Sequence, residues 1–137
     1  MPAALLACID LNAVPVGPKP NPFSLPPGVT MRVHDHLGAP LPALQIKPWP
    51  GGQGADCGFR LEIRLRRPAT AICLGVMHFA RAPKVEAFSP AGTLVGSVTV
   101  GSAQRVVHHV VLTSRAIARV VITAPSDEAL LTDLCMG

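Results

Sequence analysis

The sequence predicts an all-β protein, a single-domain antiparallel β-sandwich of about nine or ten strands. Three observations support this prediction: apolar and polar residues alternate in several segments, β-branched runs recur about every ten residues, and helical periodicity is nearly absent. The 137 residues suffice for one domain, residues 1–137, and a composition of 49% hydrophobic and 15% charged residues excludes a disordered chain. Because no apolar stretch reaches about 18 residues, we expect no membrane span.

The alternation is clearest in residues 59–66. Apolar side chains at the odd positions are expected to face a core, and the polar side chains between them to face water. These polar residues are Arg60, Glu62, Arg64 and Arg66. Residues 67–69 then predict a turn around Pro68, after which the evenly apolar residues 70–79 are expected to form a central strand.

The remaining predicted strands are separated by turn-forming residues. A hairpin is expected where residues 84–88 meet residues 93–100 across the Ser-Pro-Ala-Gly turn at 89–92. Pro125 separates the last two strands. The other predicted strands are residues 5–12, 28–36, 44–49, 104–113, 116–124 and 128–136.

Two segments rich in proline or glycine are predicted to be long loops. Residues 13–27 contain six prolines, which forbid a central strand and favour a polyproline-like strap over the surface. Residues 49–56 are rich in glycine and begin at Trp49, the only tryptophan of the chain. The second loop is therefore the first candidate for a functional loop.

Several segments in this order are similar to a known fold family. They are Cys8-Ile9-Asp10, Pro20-Asn21-Pro22-Phe23, Gly28-Val29-Thr30, the hairpin of residues 85–95, and the strands of residues 117–121 and 131–134. Together they resemble the small jelly-roll β-sandwiches of the galactose-binding-like group, a carbohydrate-binding-module-like fold. The resemblance implies a protein that binds carbohydrate through loops or an open face, or that serves as an accessory module in an assembly.

The resemblance also implies a structural calcium ion between the first and last strands. Asp10 and Asp133 stand where the acidic ligands would lie, with Asn12 as a further oxygen ligand. The alternative is that these carboxylates lie on exposed strand faces. A second metal candidate is His34 with His36, which lie on one strand face and need a third ligand to hold zinc or copper; the alternative is a solvated strand end.

The four cysteines lack the spacing of a zinc knuckle. In a jelly roll, Cys8 and Cys135 near the ends of the first and last strands can be neighbours, so one expectation is a cross-strand disulfide. The other is a pair of small buried hydrophobes in a reducing compartment. Cys57 and Cys73 are predicted to be free thiols, and His78 is predicted to be partly buried and to donate to a neighbouring carbonyl.

Charge and motif content narrow the function classes. The net charge is +4, and the arginine stripe at Arg60, Arg64 and Arg66 lacks the interleaved aromatic residues of a nucleic-acid groove. The first interpretation of these arginines is a solvated sheet face. The alternative is an interface with acidic residues of another subunit or with a phosphate-bearing partner, which would include Phe23 of the strap. The chain has no Gly-rich phosphate loop, nucleophile elbow, zinc-protease motif or dinucleotide fingerprint, so we predict that it is not an enzyme and requires no cofactor.

The first functional prediction is a structural or accessory subunit that packs against itself or other chains in a particle shell, tail or filament. The low charge, the strap and the scarcity of aromatic residues favour it. The alternative is a carbohydrate-binding module whose site lies around residues 49–56 and comprises Lys47, Trp49, Gln53, Asp56 and His36. No signal peptide is evident, so we expect synthesis in the cytoplasm, compatible with a place in an exported assembly.

Overall fold

The computed structural model describes residues 7–137, which form eleven β-strands and one turn of 3-10 helix at Leu11–Ala13. Every strand pairing in this part of the chain is antiparallel. The strands are β1 (Ala7–Asp10), β2 (Gly17–Lys19), β3 (Phe23–Leu25), β4 (Val29–His34), β5 (Leu44–Trp49), β6 (Gly52–Asp56), β7 (Arg60–His78), β8 (Lys84–Phe88), β9 (Leu94–Thr99), β10 (His108–Thr123) and β11 (Ala129–Met136).

The two long strands β7 and β10 belong to both layers of the sandwich. In the first layer, the beginning of β7 pairs with β4 and with the end of β10, giving the order β3-β4-β7-β10-β8-β9. In the second layer, the end of β7 pairs with β11 and with the beginning of β10, giving the order β2-β5-β6-β11-β7-β10, with β1 beside β11. The predicted all-β antiparallel sandwich is confirmed.

The predicted turn at residues 67–69 is wrong, because β7 runs through it. Ala69 pairs with Ile117 of β10, whereas Arg64 pairs with Arg119, so residues 65–68 lie in a bulge without partners in β10. Pro68 is tolerated there because its missing N–H would meet no acceptor on β10. The predicted break between residues 113 and 116 is likewise a register shift within one continuous β10.

One hydrophobic core lies between the layers and draws residues from both. Along the first half of β7 the predicted alternation is confirmed: Leu61, Ile63 and Leu65 are buried, while Arg60 and Arg64 are exposed. Phe59 was expected to face the core but is only half-buried, as is Phe79, because both residues lie beyond the ends of β7, at the rim of the sandwich.

Both predicted long loops contain strands. The strap of residues 13–27 includes β2 and β3, each paired with one neighbour only, which agrees with the exclusion of a central strand. Asn21 fixes the strap, since its side-chain amide donates to the carbonyls of Val33 (2.9 Å) and Leu41 (2.7 Å) and accepts from the Val33 N–H (3.1 Å). Residues 49–56 are not a loop but the turn and second strand of the β5–β6 hairpin.

Cys8 and Cys135 are direct partners in the β1–β11 register and form a disulfide. The expectation of a cross-strand bond is therefore met, and the alternative of two buried thiols is wrong. Cys57 and Cys73 are free, as predicted. Cys57 is fully enclosed, and its burial, followed by the negative charge of Asp56, raises the pKa of its thiol.

Glu62 joins β7 to β10 on the outer face of the first layer. Arg64 and Arg119 are opposite each other in the register, and the Glu62 carboxylate bridges them through bonds of 3.0 Å and 3.1 Å. Burial alone would raise the pKa of the Glu62 carboxyl, but the hydrogen bonds and positive charges of the two arginines outweigh it and hold that pKa below its ordinary value. The carboxylate thus offsets a cross-strand repulsion.

Removing the disulfide should lower the free energy of unfolding by about 2 to 4 kcal/mol, because the bond closes a long loop in the unfolded chain. The sequence separation of its cysteines is 127 residues. The measurement is urea unfolding of the wild type and of Cys8→Ser/Cys135→Ser, each with and without dithiothreitol. The reductant should destabilise only the wild type; an equal effect on both proteins would contradict the prediction.

Replacing Glu62 by Gln should lower the free energy of unfolding by about 1 kcal/mol at neutral pH, because the two arginines lose their shared carboxylate. The lowered pKa means that the carboxylate stabilises the fold above its unfolded-state pKa and that this contribution is lost as the pH falls through the folded-state pKa. Urea unfolding of wild type and variant should therefore differ at pH 7 and converge in acid. If the difference in free energy of unfolding persists in acid, the lost stability comes from packing and not from charge.

Candidate functional site

The β5–β6 hairpin positions three of the predicted ligand-binding residues at one end of the sandwich. Trp49 pairs with Gly52 across the turn, and the ammonium of Lys47 lies 2.7 Å from the carboxylate of Asp56. The indole folds back over the turn, where a Cβ on Gly51 would lie 2.3 Å from a ring carbon. Glycine at position 51 is therefore required for this placement of the Trp49 ring.

Gln53 also belongs to the hairpin, but its amide is engaged within the protein. Its Nε2 donates to the carbonyls of Leu11 (2.8 Å) and Val14, and its backbone N–H donates to Oδ1 of Asn12 (2.9 Å). These bonds fasten the hairpin to the 3-10 turn. The structure thus places Gln53 as a support for the hairpin, beside the residues predicted to contact a ligand.

A groove opens beside the hairpin, made of two adjoining cavities of about 540 and 400 Å³ that share Phe79 and Arg105. We call it the Trp49 groove. The first cavity is lined by Trp49, Pro50, Phe79 and Arg105. The second is lined by Lys47, Asp56, Phe79, Arg105, Asp127, Glu128, Ala129 and Leu130. The groove therefore joins two aromatic rings to a set of charged side chains, and it includes Lys47, Trp49 and Asp56 from the predicted set.

Two lining residues have an unusual backbone conformation. Arg105 and Asp127, with φ of 60° and 56°, are the non-glycine residues with positive φ in residues 7–137. The left-handed region is disfavoured for a residue with a Cβ, and such positions concentrate at functional sites. The coincidence of both residues in one groove marks it as a candidate site.

His78 holds the loop that presents Arg105. Its buried ring places Nε2 at 2.7 Å from the Gly101 carbonyl and Nδ1 at 3.1 Å from the Ala80 carbonyl, and its own carbonyl accepts the Arg105 N–H at 2.8 Å. The ring of His108 stacks on it with centroids 5.5 Å apart. The predicted carbonyl-bonded histidine is confirmed, but it is fully buried rather than partly buried as expected. Its effect is to fix the backbone of the groove.

The charges of the groove are of both signs. Burial, then repulsion from Asp56, raises the pKa of the Asp127 carboxyl, while Lys47 acts in the opposite direction. The indole Nε1 of Trp49 is buried and has no hydrogen-bond partner among the described residues. An unpaired buried donor is costly, and because this nitrogen has almost no exposed surface it offers no hydrogen bond to a ligand in the groove.

His36, the fifth predicted ligand-binding residue, lies outside the Trp49 groove. Its ring meets the edge of Phe59 with centroids 6.5 Å apart, in the turn that follows β4. Within residues 7–137 no group of three or more His, Cys, Asp or Glu side chains is arranged to hold a metal ion, so the third ligand that a His34–His36 metal site needs is not found there.

Asp10 and Asp133, two predicted calcium ligands, are opposite each other in the β1–β11 register. Oδ1 of Asp10 accepts two bonds from Asn12, at 2.9 and 3.1 Å, and Oδ1 of Asn12 accepts the Gln53 N–H. Oδ1 of Asp133 accepts the Thr132 hydroxyl at 2.8 Å. These three side chains already bond within the protein, which does not fit a ready-made calcium cage; the calcium ion stays a prediction.

The predicted interface residues are divided between two environments. Arg60, Arg64 and Arg66 are exposed on the outer face of the first layer, whereas Phe23 lies opposite Met31 in the β3–β4 register and packs against the core. Whether they contact a protein stays a prediction.

The sequence interpretation missed Phe79, Arg105 and Asp127 as groove residues. Phe79 was assigned to the central strand of residues 70–79, and residue 105 to a strand that begins only at His108. The turn signal at residues 125–127 is the one local feature that pointed to this region. Nothing in the sequence links these positions to Trp49, because the sheet topology alone brings them together.

Within residues 7–137 no helix is long and apolar enough to cross a membrane. The sequence matches no protein-family model and no curated protein. The following comparisons with solved structures therefore concern the fold.

A variant of a family 29 carbohydrate-binding module aligns over 96% of this chain and 91% of its own, at 7% identity and a TM-score of 0.51. A family 6 module from Clostridium stercorarium, solved with cellobiose, aligns over 69% of this chain and 81% of its own, at 20% identity and a TM-score of 0.45. The catalytic unit of an α-1,3-glucanase from Streptomyces thermodiastaticus aligns over 96% of this chain and 25% of its own, at 12% identity and a TM-score of 0.49. At the level of fold, the resemblance to a carbohydrate-binding-module-like β-sandwich is confirmed.

Proposed function

We propose that this protein is a non-catalytic carbohydrate-binding module whose ligand lies in the Trp49 groove. The observation that supports this most directly is the juxtaposition, in one groove, of Trp49 and Phe79 with the side chains of Lys47, Asp56 and Arg105. A sugar ring offers an apolar face to an aromatic ring and hydroxyl groups to charged donors and acceptors, so both halves of its surface find partners here.

The size of the groove suits a short glycan segment. Each cavity, at about 540 and 400 Å³, lies within the range of small-molecule sites. The shared residues Phe79 and Arg105 allow one chain to pass from the Trp49 end to the Asp56 end.

The groove is organised before a ligand arrives. His78 fixes the backbone at residues 101 and 105, and Gln53 fastens the hairpin that bears Trp49. Rigid placement of binding groups reduces the entropy lost on binding. This supports a recognition site over a passive surface.

The fold likeness to a family 29 carbohydrate-binding module also supports this proposal over the assembly subunit predicted first from the sequence. The scarcity of aromatic residues argued against sugar binding, but two of the chain's five aromatic residues line one groove. Two rings at one site suffice for stacking, so the low aromatic count does not weigh against a carbohydrate ligand.

Replacing Trp49 by Ala should weaken glycan binding by about tenfold or more, because loss of one aromatic contact of about 1.4 kcal/mol has that effect. The ligand is first chosen on an array of neutral oligosaccharides with the wild type, and affinities are then measured by calorimetry. Trp49 is the only tryptophan, so quenching of its fluorescence by the glycan gives an independent readout on the wild type.

Phe88→Ala is the matched control, because Phe88 is also half-buried but lies outside the groove, beneath the guanidinium of Arg119 at 4.3 Å. It should leave affinity unchanged. Arg105→Gln, which keeps a polar side chain and removes the charge, should weaken binding in a protein whose thermal unfolding is otherwise normal. Absence of any glycan ligand, or equal affinities for the wild type and Trp49→Ala, would refute the proposal.

A further inference from the structure

A separate cavity of about 480 Å³ lies on the outer face of the first layer, far along β7 from the Trp49 groove. We call it the arginine groove. It is lined by Ser24, Leu25, Gly28, Val29, Thr30, Arg32, Arg64, Leu65 and Arg66. Three guanidinium-bearing residues and two hydroxyls thus line a cavity without any acidic residue. None of these residues lines the Trp49 groove.

The positive charge of the arginine groove is only partly neutralised. Arg64 shares the Glu62 carboxylate with Arg119, so one negative charge faces two positive ones. Among residues 7–137, Arg32 and Arg66 make no ion pair. Three arginines line this groove and, among the described residues, only the Glu62 carboxylate offsets their positive charge, which favours an anionic ligand. The planar, bidentate guanidinium group matches carboxylate and sulfate oxygens.

The backbone at Gly28 leaves room for the side chain of Arg66 in the arginine groove. Gly28 has φ of +125°, and a Cβ there would lie 3.0 Å from Cβ and 3.5 Å from Cδ of Arg66. Glycine at this position therefore lets the Arg66 stem lie against the entry to β4. The hydroxyls of Ser24 on β3 and Thr30 on β4 are 3.1 Å apart and add neutral hydrogen-bonding groups beside the charges.

The arginine groove continues across the sheet. A cavity of about 400 Å³, lined by Arg64, Arg119 and the turn at residues 89–92, adjoins it through the shared residues Arg64 and Leu65. A linear ligand can thus cross from β3 to the β8–β9 turn while it remains close to arginines. Since neither lining contains an aromatic residue, the stacking platform of a single-stranded nucleic-acid site is missing.

We propose that the arginine groove is a second binding site, and that its ligand is an anionic polysaccharide whose carboxylate or sulfate groups pair with Arg32, Arg64 and Arg66. The hydroxyls of Ser24 and Thr30 bond to the uncharged parts of the sugar. This site is separate from the Trp49 groove and uses none of its residues.

The test compares three polymers of one backbone: dextran, carboxymethyl dextran and dextran sulfate. Binding is measured by calorimetry at about 150 mM NaCl, where weak surface charge effects are screened. The variant Arg32→Gln/Arg66→Gln should lose about tenfold or more in affinity for a charged polymer. Arg64 is left intact because it also pairs with Glu62.

Arg81→Gln/Arg115→Gln is the matched control, because it removes two exposed arginines that line neither cavity. It should change affinity less than about threefold. Preference for dextran sulfate or for carboxymethyl dextran identifies which acidic group the site takes. Binding of neutral glycans in the Trp49 groove should be the same in both double variants, which separates this test from that of the first site.

Three outcomes would overturn the proposal. In the first, the charged dextrans do not bind. In the second, both double variants weaken binding equally, which indicates a general polyelectrolyte effect. In the third, single-stranded DNA competes more tightly than either charged dextran and depends on Arg32 and Arg66, which indicates a nucleic-acid partner.

Discussion

The pairing of β7 with β10 is the constraint on which the rest of the structure depends. Both strands run through the two layers, so their hydrogen bonds fix how the layers are joined. The bulge at residues 65–68 of β7 absorbs the change of register at the junction. Each remaining strand then adds to one side of this pair, directly or through a neighbour, and the core fills the space between the layers.

This arrangement also places the two candidate sites. Both lie along β7, one at its beginning and the other beyond its end. The outward-facing residues of its first half include Arg64 and Arg66, whose side chains line the arginine groove. At its other end, His78 and Phe79 support and line the Trp49 groove. One strand therefore supplies a charged surface and an aromatic surface, because its two halves belong to different layers with different neighbours.

Polar side chains of this protein divide between holding the chain together and remaining available to a ligand. Asn21 and Gln53 bond to carbonyls of distant segments and fasten the proline-rich strap and the β5–β6 hairpin. These contacts compensate for short strands that have few ladder bonds of their own. By contrast, Arg32 and Arg66 are exposed and make no ion pair in the described chain. Residue type alone does not separate the two groups.

The sequence by itself determined the all-β class, the alternation of residues 59–66, the 84–88 and 93–100 hairpin and the candidacy of Trp49, because period-2 patterning and turn residues act over a few positions. The tertiary structure decided that β7 passes through Pro68, that Cys8 meets Cys135, and that Phe79, Arg105 and Asp127 join Trp49 in one groove. These features depend on register between strands distant in sequence, which local pattern does not specify.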